Sequence, residues 1–287
     1  MTPRTLSLRC ADGVALSARE YGDGKAGSVV IAAALGVPQG FYAGFATYLA
    51  ERGYRVLSYD NRGFADSATL DGAPRGREVR LADWGQQDLE AALRHAGSTG
   101  GRRFLIGHSL GTQLLGLAPA AQQLDGAILV AATAPNRRDF PAAQRAPLWL
   151  LWNALIPLLG RGRDRLPPQW IGLGAGTPMP TGAARDWARW CRSRDYLFDP
   201  AHGLDLSGYG RLRLPLRFWS FADDTLAPAA AMEALARHYP GATVERSSAE
   251  GHTRERVGHS GFFHRRQRDQ LWSAAGDWLD QQGARHA

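Results

Sequence analysis

Apolar residues recur along the first half of this chain in two alternating rhythms. Residues 5–9 and 14–19 read as two short strands joined by the turn Ala11-Asp12-Gly13. Residues 28–34 are instead continuously apolar, as expected of a strand covered on both faces. Helical spacing over 41–51 stops at Gly53, and Tyr54–Tyr59 then reads as a strand closing on Asp60-Asn61-Arg62-Gly63. The cycle repeats with a helix over 81–95, a strand over 103–106, a helix over 114–123 and a strand over 127–131. Strands separated by helices pair in parallel, with the crossover helices on both faces of one sheet.

Near Pro135 the rhythm breaks. From 135 to 210 prolines and glycines are scattered, helical signals are mixed, and five of the nine tryptophans are found. Strand and helix signals then resume: strand 214–221, helix 229–238, strand 242–247 and a last helix over 262–282. The expected organisation is a core domain of residues 1–134 and 211–287 interrupted by a helical cap, 135–210, over a mostly parallel eight-stranded sheet.

Composition narrows the partners. The net charge is +7, yet Lys25 is the only lysine, and the arginines sit in short clusters such as 161–165 and 265–268 rather than in long runs. With no nucleic-acid module in the chain, nucleic acid is not an expected partner. Cys10 and Cys191 offer neither metal spacing nor a disulfide framework. Residues 1–10 lack the apolar stretch of a signal peptide, so a cytoplasmic location is expected. The longest apolar run, 147–160, is fourteen residues and too short to span a bilayer, so stable membrane insertion is not expected.

Chemistry enters at Gly107-His108-Ser109-Leu110-Gly111. A Gly-x-Ser-x-Gly match alone is weak, but this one ends a strand and starts a helix, as a nucleophile elbow must. Glycines belong there because the turn brings backbone too close for a Cβ. The turn lifts the Ser109 hydroxyl out of the sheet and leaves the Leu110 amide at the helix start, aimed at a developing oxyanion. A serine needs a base, and the base an orienting acid, arriving on loops after later strands in the order Ser, Asp, His. Asp223 and Asp224 both lie on the loop after strand 214–221. Asp224, four residues before Pro228, is the favoured acid, and Asp223 is the candidate N-cap of the helix that follows. Of eight histidines only His252 and His259 follow the last strand on a loop, and His259, directly before the terminal helix, is the better placed base. The second oxyanion donor belongs to the loop Leu35-Gly36-Val37-Pro38-Gln39-Gly40, where Val37 is the candidate.

Residues 29–67 resemble the opening of an α/β-hydrolase. Asp60-Asn61-Arg62-Gly63-Phe64-Ala65-Asp66-Ser67 is similar to that family's D-x-R-G-x-G-x-S pattern, with Ala65 in place of the second glycine. Val257-Gly258-His259-Ser260-Gly261-Phe262-Phe263, together with Trp187-Ala188-Arg189-Trp190-Cys191, resembles a bacterial subgroup of the family defined by sequence rather than by substrate. The resemblance covers nearly the whole chain. It implies the α/β-hydrolase fold with an inserted helical cap, and Ser109, Asp224 and His259 as a catalytic triad.

In capped members of that fold the insert shapes the pocket. Apolar walls are expected from Leu148, Trp149, Leu151, Trp152, Leu155, Ile156, Leu158 and Leu159, and Trp170, Trp187 and Trp190 are placed to stack on a ligand, with Trp152, Trp187 and Trp190 the candidate substrate contacts. A competing reading makes these residues the core of the cap. Another lays the run 147–160, flanked by Arg145 and by Arg161, Arg163 and Arg165, on a membrane surface. The expected activity is hydrolysis of a small-molecule ester of moderate apolar size through an acyl-enzyme, without cofactor or metal, by a monomer or homodimer. The same triad serves thioesterases, amidases, peptidases and acyltransferases, and a binding protein that has lost catalysis is the alternative of a different class.

Overall fold

The computed structural model describes residues 2–98, 100–171, 176–250 and 252–284. Its strands are β1 (Arg4–Arg9), β2 (Ala15–Tyr21), β3 (Gly27–Ala32), β4 (Tyr54–Tyr59), β5 (Arg103–His108), β6 (Gly126–Val130), β7 (Arg165–Leu166), β8 (Met179–Pro180), β9 (Pro215–Ser220) and β10 (Thr243–Ser248). The α-helices are α1 (Ala43–Glu51), α2 (Glu90–Gly97), α3 (Leu110–Gln113), α4 (Ala142–Leu150), α5 (Ile156–Leu159), α6 (Thr181–Arg192), α7 (Ser207–Arg211), α8 (Ala229–Ala236) and α9 (Ser273–Ala284).

Eight of these strands form one sheet in the order β1-β2-β4-β3-β5-β6-β9-β10, while β7 and β8 pair with each other. The strand β2 runs antiparallel to both its neighbours, and every other pairing in the large sheet is parallel. The continuous apolar run of β3 now has its reason. Val30 faces one core with Leu57, Leu105, Leu129 and Leu216, whereas Val29 and Ile31 face the other with Val56, Phe104, Ile106 and Ile128. Ile31 stands opposite Ile106, and Ile106 opposite Ile128, so the second row is continuous across three strands. Each such side chain withdrawn from water contributes about 1.5–3 kcal/mol. The helices α2 and α8 close the first face, and α1 and α9 the second.

All eight core strands lie where the hydrophobic pattern puts them, to within a few residues. Two helices do not. The stretch 114–123, expected as a helix, follows the four-residue α3 and holds only 3-10 turns over Leu115–Leu117 and Pro119–Gln123. Pro119 has no N–H to continue a helix. Gly116 lies so close to the Tyr209 ring that a Cβ there would sit 2.3 Å from it. The terminal helix, expected from 262, forms regular α-helix only from Ser273, after 3-10 and π turns.

Between β6 and β9 the chain leaves the sheet, carries α4 to α7, and fastens itself at the C-terminal ends of the strands. Arg165 Nη1 donates to the Gly63 carbonyl (2.8 Å), the Gly182 amide to the Gly76 carbonyl (2.9 Å), and the Leu81 amide to the Asp186 carboxylate (3.0 Å). Tyr196 Oη donates to Gln113 Oε1 at 2.8 Å, tying this excursion to the helix that follows Ser109. Among the described residues no helix is long and apolar enough to cross a membrane.

Candidate active site

The strand order opens a crevice where the site has to be. The chain leaves β3 toward β4 on one side and later returns to β5 on the other, so the loops after β3 and β5 part above the sheet. Ser109 stands at that point, between β5 and α3, with φ +50° and ψ −112°. This is a strained conformation for a residue with a Cβ, and such strain persists only when its surroundings hold it. Here the Ser109 amide donates to the Val130 carbonyl (2.9 Å), and its own carbonyl accepts from the Thr112 amide (3.0 Å) and hydroxyl (2.6 Å). The flanking glycines are required by contact. A Cβ on Gly111 would lie 2.1 Å from the Ala32 carbonyl oxygen, and one on Gly107 would lie 2.9 Å from the Thr112 nitrogen.

Ser109 Oγ donates to His259 Nε2 at 2.9 Å, and His259 Nδ1–H donates to Asp224 at 2.8 Å to Oδ2 and 3.0 Å to Oδ1. Because the carboxylate only accepts, the proton of a neutral imidazole is on Nδ1, and the lone pair on Nε2 faces the serine. The Asp224 side chain is fully buried, and its Oδ1 also accepts from the amides of Leu226 (2.9 Å) and Ala227 (3.0 Å), which fix its orientation. Asp223 does not cap α8, whose N-cap Pro228 has no side-chain hydrogen bond. Its Oδ1 accepts from the Gly258 amide at 2.9 Å, so both aspartates hold the histidine loop, one by the imidazole and one by the backbone. His252 is exposed and rests near Trp219, with ring centroids 5.3 Å apart.

A second histidine completes the constellation. His108 is buried and bonded at both nitrogens: Nδ1 to Tyr42 Oη (2.9 Å) and Nε2 to the His259 carbonyl oxygen (2.8 Å). A carbonyl only accepts, so the proton is on Nε2 and Nδ1 accepts from the Tyr42 hydroxyl. That hydroxyl in turn accepts from the Ala34 amide at 2.9 Å. Burial foremost, with the nearby charge of His259, lowers the His108 pKa from 6.5 to about 3, which keeps the ring neutral as this pattern requires. The loop after β3, the turn at Ser109 and the His259 loop are thus linked through two buried side chains. Phe263 packs edge-on against Tyr42 (4.9 Å) and tilted against His108 (4.8 Å), which gives the Gly-His-x-Gly-Phe-Phe element a physical role beneath His259.

The loop expected to supply the second oxyanion donor differs in one respect from its sequence reading. The Val37 amide closes a turn on the Ala34 carbonyl at 3.2 Å and is not available as a donor. Gly36, with φ +75°, makes that turn possible. The turn's central amides, Leu35 and Gly36, donate to no described residue. The loop is braced from below by Asp60, whose carboxylate accepts from the Gln39 amide (2.8 Å) and Gln39 Nε2 (3.0 Å), and whose pKa is raised chiefly by burial. The Leu110 amide stands at the first position of α3, where no helical acceptor exists.

The tryptophans of the excursion divide between interior and surface. Trp152 and Trp190 are buried in the large core cluster, Trp152 against Phe140 and the half-buried Trp187, and Trp190 against Tyr196. Trp152 also borders a cavity of about 270 Å³ whose lining includes no member of the Ser-His-Asp set. Trp149, Leu155 and Leu158, expected as pocket wall, and Trp170, expected to stack on a ligand, are exposed to solvent. The wide apolar surface they offered in sequence is split between an interior and an outer face.

His108 and Tyr42 were not singled out in sequence. The signal was present: a histidine ending an otherwise apolar strand must find partners for both ring nitrogens when buried.

A family model described as "Alpha/beta hydrolase family" matches residues 29–272. No curated protein matches the chain. Among solved structures, the chain is similar to DcsB in complex with a substrate analogue (TM-score 0.66, 18% identity, 99% of this chain and 100% of that one). It is also similar to a soluble variant of monoglyceride lipase from Saccharomyces cerevisiae (TM-score 0.66, 14% identity, 98% and 95%). An esterase from Exiguobacterium antarcticum gives a TM-score of 0.62 at 16% identity, covering 96% and 100%. At these identities the likeness establishes the shared α/β-hydrolase fold.

Proposed function

Since this chain belongs to the alpha/beta hydrolase family, we propose that it is a serine hydrolase that cleaves a carboxylic ester through an acyl-enzyme on Ser109. The observation that carries this reading is the unbroken path Ser109 Oγ to His259 Nε2 (2.9 Å) and His259 Nδ1 to Asp224 (2.8 Å). His259 accepts the serine proton as Oγ attacks the ester carbonyl, and Asp224 stabilises the imidazolium that forms. The Leu110 amide and a free amide of the Leu35-Gly36 turn receive the negative oxygen. His259 then returns its proton to the leaving alcohol, and water, deprotonated by the same ring, releases the acid. Esterase and lipase neighbours of the same fold support the choice of an ester. The Val257–Phe263 element supports placing the chain in the bacterial subgroup with Gly-His-x-Gly-Phe-Phe.

The test is a series of aryl esters of increasing acyl length, run on wild type and Ser109→Ala with fluorophosphonate labelling in parallel. Labelling confined to protein with Ser109, and loss of turnover by at least about 10³-fold in the variant, are the expected results. Equal rates for the two proteins would end the proposal.

A further inference from the structure

Of the six large apolar side chains that stand exposed among the described residues, five lie in the excursion between β6 and β9: Trp149, Leu150, Leu155, Leu158 and Trp170. Four of them belong to one continuous helical stretch, α4, a π turn over Leu151–Leu155, and α5. None of the residues of α4 is buried, and Trp149 and Leu158 are 51% and 53% exposed. Trp152 and Ile156 hold the opposite side of the same stretch in the core. The helical segment is therefore anchored by one face and presents an apolar one to the outside, which soluble domains seldom do without a partner.

Charge identifies that partner. From 136 to 163 the chain carries five arginines and a single carboxylate, Asp139. The guanidinium groups of Arg145, Arg163 and Arg192 donate to main-chain carbonyls, and no carboxylate among the described residues forms an ion pair with them or with Arg138, Arg161 or Arg194. Arg163 lies over the exposed Trp170 ring at 5.5 Å. Arg138, Arg192 and Arg194 ring the cavity of about 270 Å³ that Trp149 also lines, so the apolar face runs directly into a cationic recess. Tryptophan beside arginine at the border of an apolar strip is the composition that a lipid headgroup layer accepts. A second copy of the chain pressed on this face would set arginine against arginine.

We propose that the outer face of α4 and α5 docks this protein reversibly on an anionic lipid surface, with the Trp149 and Leu158 side chains entering the headgroup boundary and the surrounding arginines facing lipid phosphates. The start of α4 borders the acid loop, since Pro141 and Gln144 line a cavity of about 630 Å³ together with Asp224 and Thr225. Docking in this way brings the catalytic end of the sheet to the lipid layer without any segment crossing it.

The experiment is co-sedimentation of the full chain with phosphatidylcholine vesicles with and without roughly 30% phosphatidylglycerol, since each arginine near an anionic surface is worth about fivefold in affinity. Ser109→Ala is measured beside wild type, so that a failure of the hydrolase reading leaves this test intact. Partitioning at least tenfold stronger to the anionic vesicles, and lost at about 0.5 M salt, is expected. Trp149→Ser/Leu158→Ser should weaken binding to both vesicle types, and Arg138→Gln/Arg161→Gln/Arg163→Gln should erase the preference for phosphatidylglycerol. All of these positions are exposed, so unchanged circular dichroism and melting are expected controls. Equal binding to both vesicles, anionic binding unaffected by either variant, or a wild-type dimer in light scattering that Trp149→Ser dissociates would each overturn the proposal, the last by assigning the face to a second copy.

Discussion

The carbonyl oxygen of His259 accepts a hydrogen bond from His108 Nε2 at 2.8 Å, so the residue preceding the candidate nucleophile holds the backbone of the candidate base. Tyr42 sets the tautomer that makes this bond possible, by donating to Nδ1. Tyr42→Phe removes that donor and also leaves the buried Ala34 amide without its acceptor. Two unpaired polar groups cost about 1–3 kcal/mol each. The expected outcome is a lower melting temperature and a kcat for aryl esters reduced about tenfold, with KM changed less. A variant with wild-type kcat would show that the link does not position the base.

The same histidine predicts an acid limb of stability. Its native pKa is lowered to about 3, chiefly by burial, from an ordinary value of 6.5. Below about pH 6.5 the unfolded chain binds a proton there and the native protein does not, so stability falls as the pH drops toward 3. The contribution is complete above 6.5, and its slope is at most about 1.4 kcal/mol per pH unit. Denaturant unfolding of wild type and His108→Gln between those pH values should give the flatter dependence in the variant. Parallel curves would remove His108 from the acid response.

The eight strands are legible because strand periodicity and turn chemistry are local features, and Ser109, Asp224 and His259, which the structure joins by hydrogen bonds, each follow such a strand. What was not legible depends on contacts far apart in sequence. Whether the Val37 amide is free is decided by a turn that Gly36 permits. Asp223 looked like a cap because the helix at Ala229 is near in sequence, whereas its actual partner, Gly258, is thirty-five residues away. Tryptophans at helical spacing read equally as pocket or as interior, and only packing of α6 against the rest of the excursion decides.

The two neighbouring carboxylates should separate cleanly on substitution. Asp224→Asn keeps the shape but disturbs the proton arrangement of His259, so kcat should fall by about 10³–10⁴-fold with little change in KM. Asp223→Asn retains an oxygen that can accept from Gly258 and should lose less than about tenfold, while Asp223→Ala should lose more. Steady-state kinetics on one aryl ester checks all three. Equal losses for Asp223→Asn and Asp224→Asn would make the acid assignment untenable.

Trp190 should behave as an interior residue and not as a ligand contact. It is 1% exposed and packs on Tyr196, whose hydroxyl reaches Gln113 at the end of α3. Trp190→Ala should cost about 3–5 kcal/mol in stability through the cavity it leaves. Protein that remains folded at low temperature should bind short aryl esters with nearly unchanged KM. A large rise in KM without loss of stability would restore Trp190 to the substrate pocket.

Ala65 is the one departure from the D-x-R-G-x-G-x-S pattern, and it has φ +44°, a left-handed conformation suited to glycine. The neighbouring residues are committed: the Asp66 amide donates to Asp60 (3.3 Å), and Ser67 Oγ donates to the Asp60 carbonyl (2.6 Å) while accepting from the Ser17 amide (2.8 Å). The chain therefore cannot relax at Ala65 without releasing Asp60, which braces the loop after β3 through Gln39. A left-handed alanine costs about 1–2 kcal/mol, and the greater freedom of glycine in the unfolded chain returns about 0.5–1 kcal/mol of that. Ala65→Gly should thus stabilise the protein by about 0.5–1 kcal/mol, raising the melting temperature by about 1–3 °C with kcat unchanged. Calorimetry on the two proteins decides it, and a lower melting temperature for the glycine variant would mean that the backbone at this position carries no strain for glycine to relieve.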